Sequence, residues 1–218
     1  MLDVGCGYGG LTRALAEVFQ ATEVYGIEID PSRQKEARSK GVIVHVLDAE
    51  IQRFPFEDEY FDLIVSFGMF EHLAYVDNLM QEANRVLSRG GLFIISTVNL
   101  GSWVNRLSLL LGYQPRDVEI SRIVAVGTHP SHAKEWTGPL PAIDHVHAAT
   151  TRAFQELMEF YGFRTIRLRG WKPQFAGLTS SVPFRIVDSI LCKRVTLARR
   201  FFYLGIKDRD LKDTDYDS

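Results

Sequence analysis

The chain has 218 residues, a formal net charge of −2 and a hydrophobic fraction of 46%. This length suits one well-buried domain, and the near-neutral charge gives no general attraction to nucleic acid. The two cysteines, Cys6 and Cys192, do not suggest a disulfide framework. No apolar run reaches the length of a membrane span, and we expect a reducing, cytoplasmic location.

A glycine-rich segment, residues 2–12, has the pattern of a strand end, a turn and a helix start. Glycines permit positive φ and let a ligand lie against bare peptide groups, while the first N–H groups of the helix point at that ligand. The segment therefore predicts a site for a nucleoside-bearing cofactor. Its Gly5-x-Gly7-x-x-Gly10 spacing also matches a dinucleotide-binding loop, so other residues must identify the cofactor.

Three acidic residues near the ends of the first three predicted strands bear on that choice. A carboxylate at Asp3 would repel a pyrophosphate, and it suits a cationic ligand group better. Glu28 can accept hydrogen bonds from both ribose hydroxyls of either cofactor. Asp48 can accept from an adenine amino group, while the next backbone N–H donates to a ring nitrogen.

Strands and helices alternate over the first hundred residues, which predicts a parallel sheet with helices on both faces. The predicted elements are a helix with an apolar stripe of Leu11, Leu15, Val18 and Phe19; a strand over 23–28; a helix that Pro31 begins and Gly41 ends; a buried strand over 42–47; a strand over 61–67; a helix over 76–87 closed by 88–91; and a strand over 92–98.

The alternation stops between Asn99 and Ala149, where prolines, glycines and histidines follow a short helix over 103–111. We expect one domain over residues 1–218, in which 99–149 is an insertion that covers the bound substrate like a lid. The elements predicted after it are a helix ended by Gly162, a strand over 163–169, a helix over 183–195 and a strand over 201–206.

The ordered motifs of the first hundred residues resemble those of class I methyltransferases that use S-adenosylmethionine. The resemblance implies a Rossmann-like, doubly wound, mostly parallel seven-stranded sheet whose last strand is antiparallel. The pattern is closest to small-molecule and lipid or glycan O-methyltransferases, so the implied reaction is O-methylation of a small molecule, lipid precursor or glycan. The motifs are Leu2-Asp3-Val4-Gly5-Cys6-Gly7, Gly26-Ile27-Glu28-Ile29-Asp30, Asp48-Ala49, residues 54–64, Phe70-Glu71-His72-Leu73 and residues 85–91.

The resemblance also implies which residues bind S-adenosylmethionine. Asp3 and the backbone of Gly5, Cys6 and Gly7 face its methionine part. Glu28 takes the ribose diol, Ile29 packs on the adenine, and Asp48 and Ala49 bind the adenine edge. Phe67 and Gly68 line the cofactor near the transferred methyl group.

Two histidines, His72 and His145, are candidates for catalysis, because a general base helps an oxygen acceptor whose pKa is high. His72 follows the fourth strand, at the edge where open α/β sheets bind ligands. Glu71 can orient its ring or bind a metal; alternatively, the pair caps a helix or bonds a backbone carbonyl. His145 or His147 can face the acceptor. We predict no metal site, since the histidines of the insertion lack zinc-site spacing: His129, His132, His145 and His147.

Two other functions stay open: an NAD-dependent oxidoreductase or epimerase, which a Tyr-x-x-x-Lys pair would favour, and a cofactor-binding protein without catalysis. The expected partner is a small-molecule, lipid or glycan acceptor, not nucleic acid. Five aromatic residues can line an apolar acceptor pocket or belong to ordinary core: Trp103, Tyr113, Trp136, Trp171 and Phe175.

The segment 183–200 carries an apolar stripe of Phe184, Val187, Leu191 and Val195, flanked by basic residues. This pattern predicts either peripheral contact with an anionic membrane or a helix packed on the sheet with a solvated basic face. A helical segment usually precedes the first strand in the family that the chain resembles. We therefore expect that the natural protein is longer at its N-terminus or that another chain covers the cofactor there.

Overall fold

The computed structural model describes residues 1–128, 142–171 and 182–211. Within them, one sheet of seven strands has the order β3-β2-β1-β4-β5-β7-β6. β1 to β5 run parallel to one another, whereas β7 is antiparallel to both β5 and β6. The predicted doubly wound sheet with an antiparallel last strand is confirmed. The strands are β1 (Leu2–Val4), β2 (Tyr25–Glu28), β3 (Ile43–Val46), β4 (Phe61–Phe67), β5 (Leu87–Val98), β6 (Phe163–Trp171) and β7 (Arg200–Lys207).

Local capping explains where several helices begin. Pro31 occupies the first turn of α2, and the Asp30 carboxylate accepts from Ser32 N at 2.9 Å. The Ser102 hydroxyl caps α4 and the Thr150 hydroxyl caps α5 in the same way. The helices are α1 (Gly10–Val18), α2 (Pro31–Ser39), α3 (Asp77–Val86), α4 (Trp103–Leu110), α5 (Thr151–Phe160) and α6 (Val182–Leu191), and a 3₁₀ turn covers Phe70–His72.

The main core lies between the sheet and the helices α3 and α5. On α3, Leu79, Met80 and Ala83 are fully buried, and α5 contributes Phe154 and Met158. A smaller cluster, which includes Ala16 and Ala37, holds α1 and α2 against the sheet. Helices therefore cover both faces and leave the carboxyl ends of the parallel strands free to form a site.

Two predicted burial patterns are wrong. The stripe on α1 does not face the core, because Leu11 and Val18 are exposed while Thr12 and Ala16 are buried. The orientation follows from Thr12, whose hydroxyl bonds a buried carboxylate of β1. The strand β3 is not buried on both faces either: it lies at the sheet edge, where Ile43 and Val46 are exposed.

Two predicted boundaries also differ from the structure. The segment 88–91 does not turn the chain, because β5 already begins at Leu87, directly after α3. Gly90, at φ +81°, bends the chain within this strand instead of ending the helix. The last helix, α6, ends at Leu191, four residues before the predicted end. None of the helices in the described part of the chain has the length and apolarity needed to cross a membrane.

Candidate active site

The glycine turn after β1 is fixed by bonds to the neighbouring strand. The amides of Gly5 and Cys6 both donate to the carbonyl oxygen of Ile27, at 2.8 and 3.1 Å. A Cβ at Gly5 would lie 2.9 Å from the sulfur of Met69, whereas no atom lies within 4 Å of the corresponding point at Gly7. Packing therefore requires the first glycine, and the second faces open space that a ligand can approach.

Asp3 lies beneath this turn and is 3% exposed. The Thr12 hydroxyl donates to its Oδ2 at 2.5 Å. Burial raises the pKa of Asp3 to about 6, and the nearby Glu28 carboxylate adds to this effect, while the Thr12 bond opposes it. Burial and the same two carboxylates raise the pKa of the Cys6 thiol to about 12, so the thiol stays protonated and unreactive. The region favours a cationic ligand group.

Glu28 ends β2 beside the turn and is 5% exposed. Its Oε2 accepts from the amide of Gly7 at 2.9 Å, and its Oε1 accepts from the amide of Asp30 at 3.0 Å. Arg33 Nη1 lies 3.7 Å from Oε1, and its guanidinium also lies over the Tyr8 ring. The carboxylate is therefore held at the turn, where it can bind the hydroxyls of a sugar. Ile29, the next residue, is exposed.

Asp48 organises the corresponding position after β3. Its Oδ1 accepts from the amide of Glu50 at 2.9 Å, and its own amide donates to Gln52 Oε1 at 2.6 Å. Ala49 is buried, and its carbonyl accepts from Asn78. Since β1, β2 and β3 are adjacent and parallel, Asp3, Glu28 and Asp48 share one edge of the sheet, as the sequence predicts.

A second polar group follows β4, and its centre is Glu71, which is 1% exposed. The carboxylate accepts from the Thr97 hydroxyl at 3.0 Å and forms an ion pair with the Arg200 guanidinium. Neither partner was among the predicted site residues. Glu71 therefore does not orient the ring of His72 through its carboxylate, which is engaged by β5 and β7.

His72 is oriented by the backbone, as one of the alternatives from the sequence proposes. Its Nδ1 lies 2.9 Å from the carbonyl oxygen of Asp144, a residue with a φ of +60°. Because a carbonyl only accepts, Nδ1 carries the proton in the neutral ring, and Nε2 keeps its lone pair. This tautomer presents a base to its surroundings.

His145 lies beside His72, with 4.9 Å between the ring centroids. It is 7% exposed, and its Nδ1 is buried without a hydrogen-bond partner in the described parts of the chain. Burial lowers the pKa of His145 to about 3, and the charges of His72, Arg200 and Arg116 lower it further. The ring is therefore neutral at physiological pH.

Glu71, His72 and His145 bring one ligand atom each to within 4.8 Å of one another. One carboxylate and two imidazoles are donors that divalent transition metals accept. The group can hold a metal, although Arg200 already pairs with Glu71. The absence of a metal site stays a prediction.

The glycine turn lies next to Glu71, His72 and His145, which together we call the histidine group. The Met69 side chain touches the turn at Gly5, and it accepts from Ser66 of β4 at 3.8 Å. A Cβ at Gly68 would lie 3.7 Å from Arg200 Nη2 and 3.8 Å from Glu71 Oε1. Phe67 packs against Phe202, with 5.8 Å between the ring centroids. The two residues predicted to line the cofactor near its methyl group, Phe67 and Gly68, therefore border the histidine group.

The side chains of the remaining candidates bind other partners or lie outside the described residues. His147 bonds the carbonyl of Leu73, and Trp103 donates to Asp188. Trp171 packs on Phe202, with 5.8 Å between the ring centroids. The undescribed candidates are His129, His132, Trp136 and Phe175.

A Tyr-x-x-x-Lys pair does occur in the chain, at Tyr203 and Lys207 of β7. Both side chains are buried. Tyr203 donates to the carbonyl of Phe163 at 3.4 Å, and Lys207 donates to that of Leu87 at 2.9 Å. These two residues belong to the packing of β7 and do not form a catalytic pair at the glycine turn.

Known proteins match the part of the chain that contains the glycine turn and the strands beside it. Residues 2–95 match the model of the methyltransferase domain. The ubiquinone biosynthesis O-methyltransferase of Candida albicans is 31% identical over 153 residues, which are 62% of this chain and 44% of that protein. The malonyl-[acyl-carrier protein] O-methyltransferase of Geobacter sulfurreducens is 28% identical over 173 residues, 77% of this chain and 57% of that protein.

The chain thus spans about half the length of these curated relatives. Among solved structures, an S-adenosylmethionine-dependent methyltransferase of Mesorhizobium loti matches with a TM-score of 0.60 and 17% identity. The match covers 94% of this chain and 89% of that one. This likeness shows the fold. Residues 2–95 form a methyltransferase domain of the S-adenosylmethionine-dependent type.

Proposed function

We propose that the protein methylates an oxygen atom of a small molecule, lipid precursor or glycan. The observation that carries the proposal is the position of Gly68: a Cβ there would lie 3.7 Å from Arg200 Nη2 and 3.8 Å from Glu71 Oε1, so the strand end predicted to line the cofactor adjoins the histidine group. When bound, S-adenosylmethionine supplies a methyl group on a cationic sulfur, which an acceptor oxygen attacks. The protein mainly has to hold that oxygen in line with the methyl carbon.

Each polar residue of the site has a definite task in this proposal. Asp3 and Glu28, both buried at the turn, hold the cationic and the ribose parts of the cofactor. His72 takes the proton of the acceptor hydroxyl on Nε2, because its Nδ1 is occupied by the Asp144 carbonyl. His145 stays neutral beside it and offers Nδ1 to the acceptor.

The choice of cofactor separates this proposal from an NAD-dependent enzyme. The buried carboxylate of Asp3 beneath the turn supports a cationic ligand over a pyrophosphate. Calorimetric titration with S-adenosylmethionine and with NAD tests the choice. We expect binding of the first only, and tighter binding of NAD would overturn the proposal.

Glu28→Ala tests the ribose assignment in the same titration. It removes two charge-assisted hydrogen bonds, each worth about 1.5–3 kcal/mol, so cofactor affinity should fall at least tenfold. Glu57→Ala, at an exposed position outside the site, is the matched control. Unchanged affinity in the Glu28 variant would contradict the assignment.

His72→Gln separates a catalytic methyltransferase from a protein that only binds the cofactor. Mass spectrometry of ligands that co-purify with the protein identifies the acceptor to be used. The variant should bind the cofactor like the wild type but lose about 10²–10⁴-fold in turnover, the usual contribution of a general base. Equal turnover would exclude His72 as the base, and no turnover by the wild type would favour the non-catalytic alternative.

The proposal extends to the cellular setting. Cys6 and Cys192 are free thiols, which supports a reducing compartment, the cytoplasm. Peripheral membrane contact through residues 183–200 belongs to the proposal as well, because lipid precursors are among the acceptors considered.

A further inference from the structure

Two neighbouring helices, α4 and α6, present apolar side chains to solvent. Trp103 joins them: its ring centroid lies 5.1 Å from that of Phe184, and its Nε1 donates to Asp188 at 2.9 Å. We call their outer surface the α4–α6 face. The most exposed apolar residues of these helices and their ends are Leu109, Leu110, Leu111, Val182, Ile186 and Ile190.

The helix α6 leaves a second apolar surface exposed, apart from the predicted stripe. Asp188 is the one buried residue in its described span, whereas Val182 is 65% and Ile190 58% exposed. Leu110 on α4 is 81% exposed. In the predicted stripe, Phe184, Leu191 and Val195 are half-buried and Val187 is exposed, so a helix packed through that stripe stays an alternative. Exposed apolar area of this kind is typical of a binding surface.

The exposed charged residues at and next to the α4–α6 face are all positive. In α4, α6 and the segment 192–198, every exposed charged residue is basic, namely Arg106, Arg185, Lys193 and Arg194. The one acidic residue there, Asp188, is buried and lies 3.8 Å from Arg199 Nε. The chain as a whole carries a net charge of −2. The excess of positive charge is therefore local to the apolar surface.

We propose that the α4–α6 face docks on an anionic membrane surface, and the inference rests on the proposed function in taking the acceptor to be an amphiphile drawn from that membrane. Apolar side chains flanked by basic residues match the boundary between acyl chains and anionic headgroups. A soluble acidic partner would need the charges but not the exposed leucines and isoleucines. Contact at this face is peripheral, because neither helix has the length to cross a bilayer.

The α4–α6 face also lies beside the candidate active site. Arg199 reaches Asp188 of α6, and the next residue, Arg200, pairs with Glu71 next to His72. Residues 99–102 connect α4 to β5, which supplies Thr97 to the same carboxylate. An amphiphile that leaves the bilayer at this face therefore has a short path to the histidine group.

Vesicle flotation with the full chain tests the docking. The vesicles are phosphatidylcholine alone, or phosphatidylcholine with about one third phosphatidylglycerol. We expect binding to the anionic vesicles and much weaker binding to the neutral ones. The triple variant Arg185→Gln, Lys193→Gln, Arg194→Gln should bind anionic vesicles about 100-fold more weakly, since each charge near such a surface contributes about fivefold.

Two further variants control for charge and for the apolar surface. The triple variant Lys35→Gln, Arg53→Gln, Arg167→Gln makes the same charge change at exposed positions on other elements and should bind like the wild type. Ile186→Ser with Ile190→Ser should also lose binding, and the exposure of both residues leaves the core intact. Circular dichroism and a thermal melt confirm that each variant is folded.

Three results would overturn the docking proposal: no binding to anionic vesicles, equal binding to neutral ones, or equal loss in the two charge variants. A dimer that the Ile186 and Ile190 substitutions abolish, without vesicle binding, would assign the face to self-association and also overturn it. Titration of the same variants with S-adenosylmethionine keeps the outcomes distinct. Loss of vesicle binding with cofactor binding retained would count against the docking proposal alone. Loss of cofactor binding with vesicle binding retained would count against the proposed function alone.

Discussion

Burial and ligand charge act on the same proton at Asp3. Its pKa in the folded protein is about 6, above the 3.8 of an ordinary aspartate. Between these values the folded state holds a proton that the unfolded state has lost. The contribution of this carboxyl to the free energy of unfolding is therefore fully present at low pH and is lost as the pH rises through about 6. A cationic ligand group beside Asp3 favours the ionised form instead.

We therefore expect the affinity for S-adenosylmethionine to rise with pH. Near pH 5 about a tenth of Asp3 is ionised in the free protein, so binding should be about tenfold weaker than at pH 7.5. Calorimetry at the two pH values measures this ratio, and proton release on binding at pH 5 accompanies it. The Asp3→Asn variant should bind weakly at both values, and an unaltered ratio in that variant would exclude Asp3 as its source.

Individual site residues differ in how far the sequence predicts them. Asp3 and Glu28 are predictable, because their positions at strand ends follow from local patterns. The partner of Glu71 is not, since Arg200 is 129 residues away and meets it only through the placement of β7 beside β5. The ring of His72 is held by a backbone carbonyl, for which no side-chain pattern exists.

At the scale of elements, the turn between β1 and α1 depends on a close contact at Gly5. Its φ of +85° already disfavours a side chain, and a Cβ would meet Met69 at 2.9 Å. Gly5→Ala should therefore lower the free energy of unfolding by about 2 kcal/mol or more, the strain and the overlap adding together. Chemical denaturation measures the loss.

Two variants separate the contributions at Gly5. Gly7→Ala adds a methyl group at a positive φ but into open space, so it should cost less stability. Gly5→Ala with Met69→Ala removes the contacts with the sulfur and Cγ of Met69 and leaves only its Cβ, at 3.1 Å, so it should recover part of the loss. If the double variant were no more stable than expected from adding the single effects, the contact with Met69 would not be the cause.

Element boundaries were predictable where a capping residue defines them. Asp30 and Pro31 define the start of α2, and Gly162, at φ +81°, follows the end of α5. The buried face of α1 was not predictable from apolar spacing, because the bond from Thr12 to Asp3 turns a polar residue inward. The edge position of β3 depends on strand order, which a short apolar run does not encode.

At the scale of the whole molecule, the insertion 99–149 leaves and rejoins the fold at one place. Asn99 and Ala149 form a parallel bridge, and the amide of Leu100 donates to the Ala149 carbonyl at 3.1 Å. A few bonds from its interior reach the site, such as the amides of Val146 and His147 to the Glu71 carbonyl. We therefore expect that the described parts of the insertion, residues 99–128 and 142–149, can move away from the site without breaking the sheet.

Hydrogen exchange tests the prediction that this insertion is a lid. In the free protein, amides of residues 113–128 should exchange faster than those of β4 and β5, because local opening there exposes little core. Binding of an acceptor should slow them. Exchange as slow as that of β4 in the free protein would argue against a lid.

Asn84 connects three distant parts of the chain at the opposite end of α3 from the site. It is buried, and its Nδ2 donates to the carbonyls of Tyr161 and Arg209 at 2.9 and 3.0 Å. Its Oδ1 accepts from the amide of Leu211 at 3.2 Å. The Asn84 side chain thereby provides hydrogen-bond partners for backbone groups at the end of α5 and in the chain that follows β7.

Replacement of Asn84 by alanine should thus weaken the whole fold rather than one element. It leaves three backbone groups without their partner, so the free energy of unfolding should fall by about 2–4 kcal/mol in a single cooperative transition. Asn78→Ala is the matched control on the same helix. Asn78 also donates to two carbonyls, at 2.9 and 3.0 Å, but it is only partly buried, and water can replace it. Equal losses of stability in the two variants would show that the bonds of Asn84 stabilise the fold no more than those of Asn78. A separate early transition would show that α5 and β7 unfold independently of the rest of the sheet.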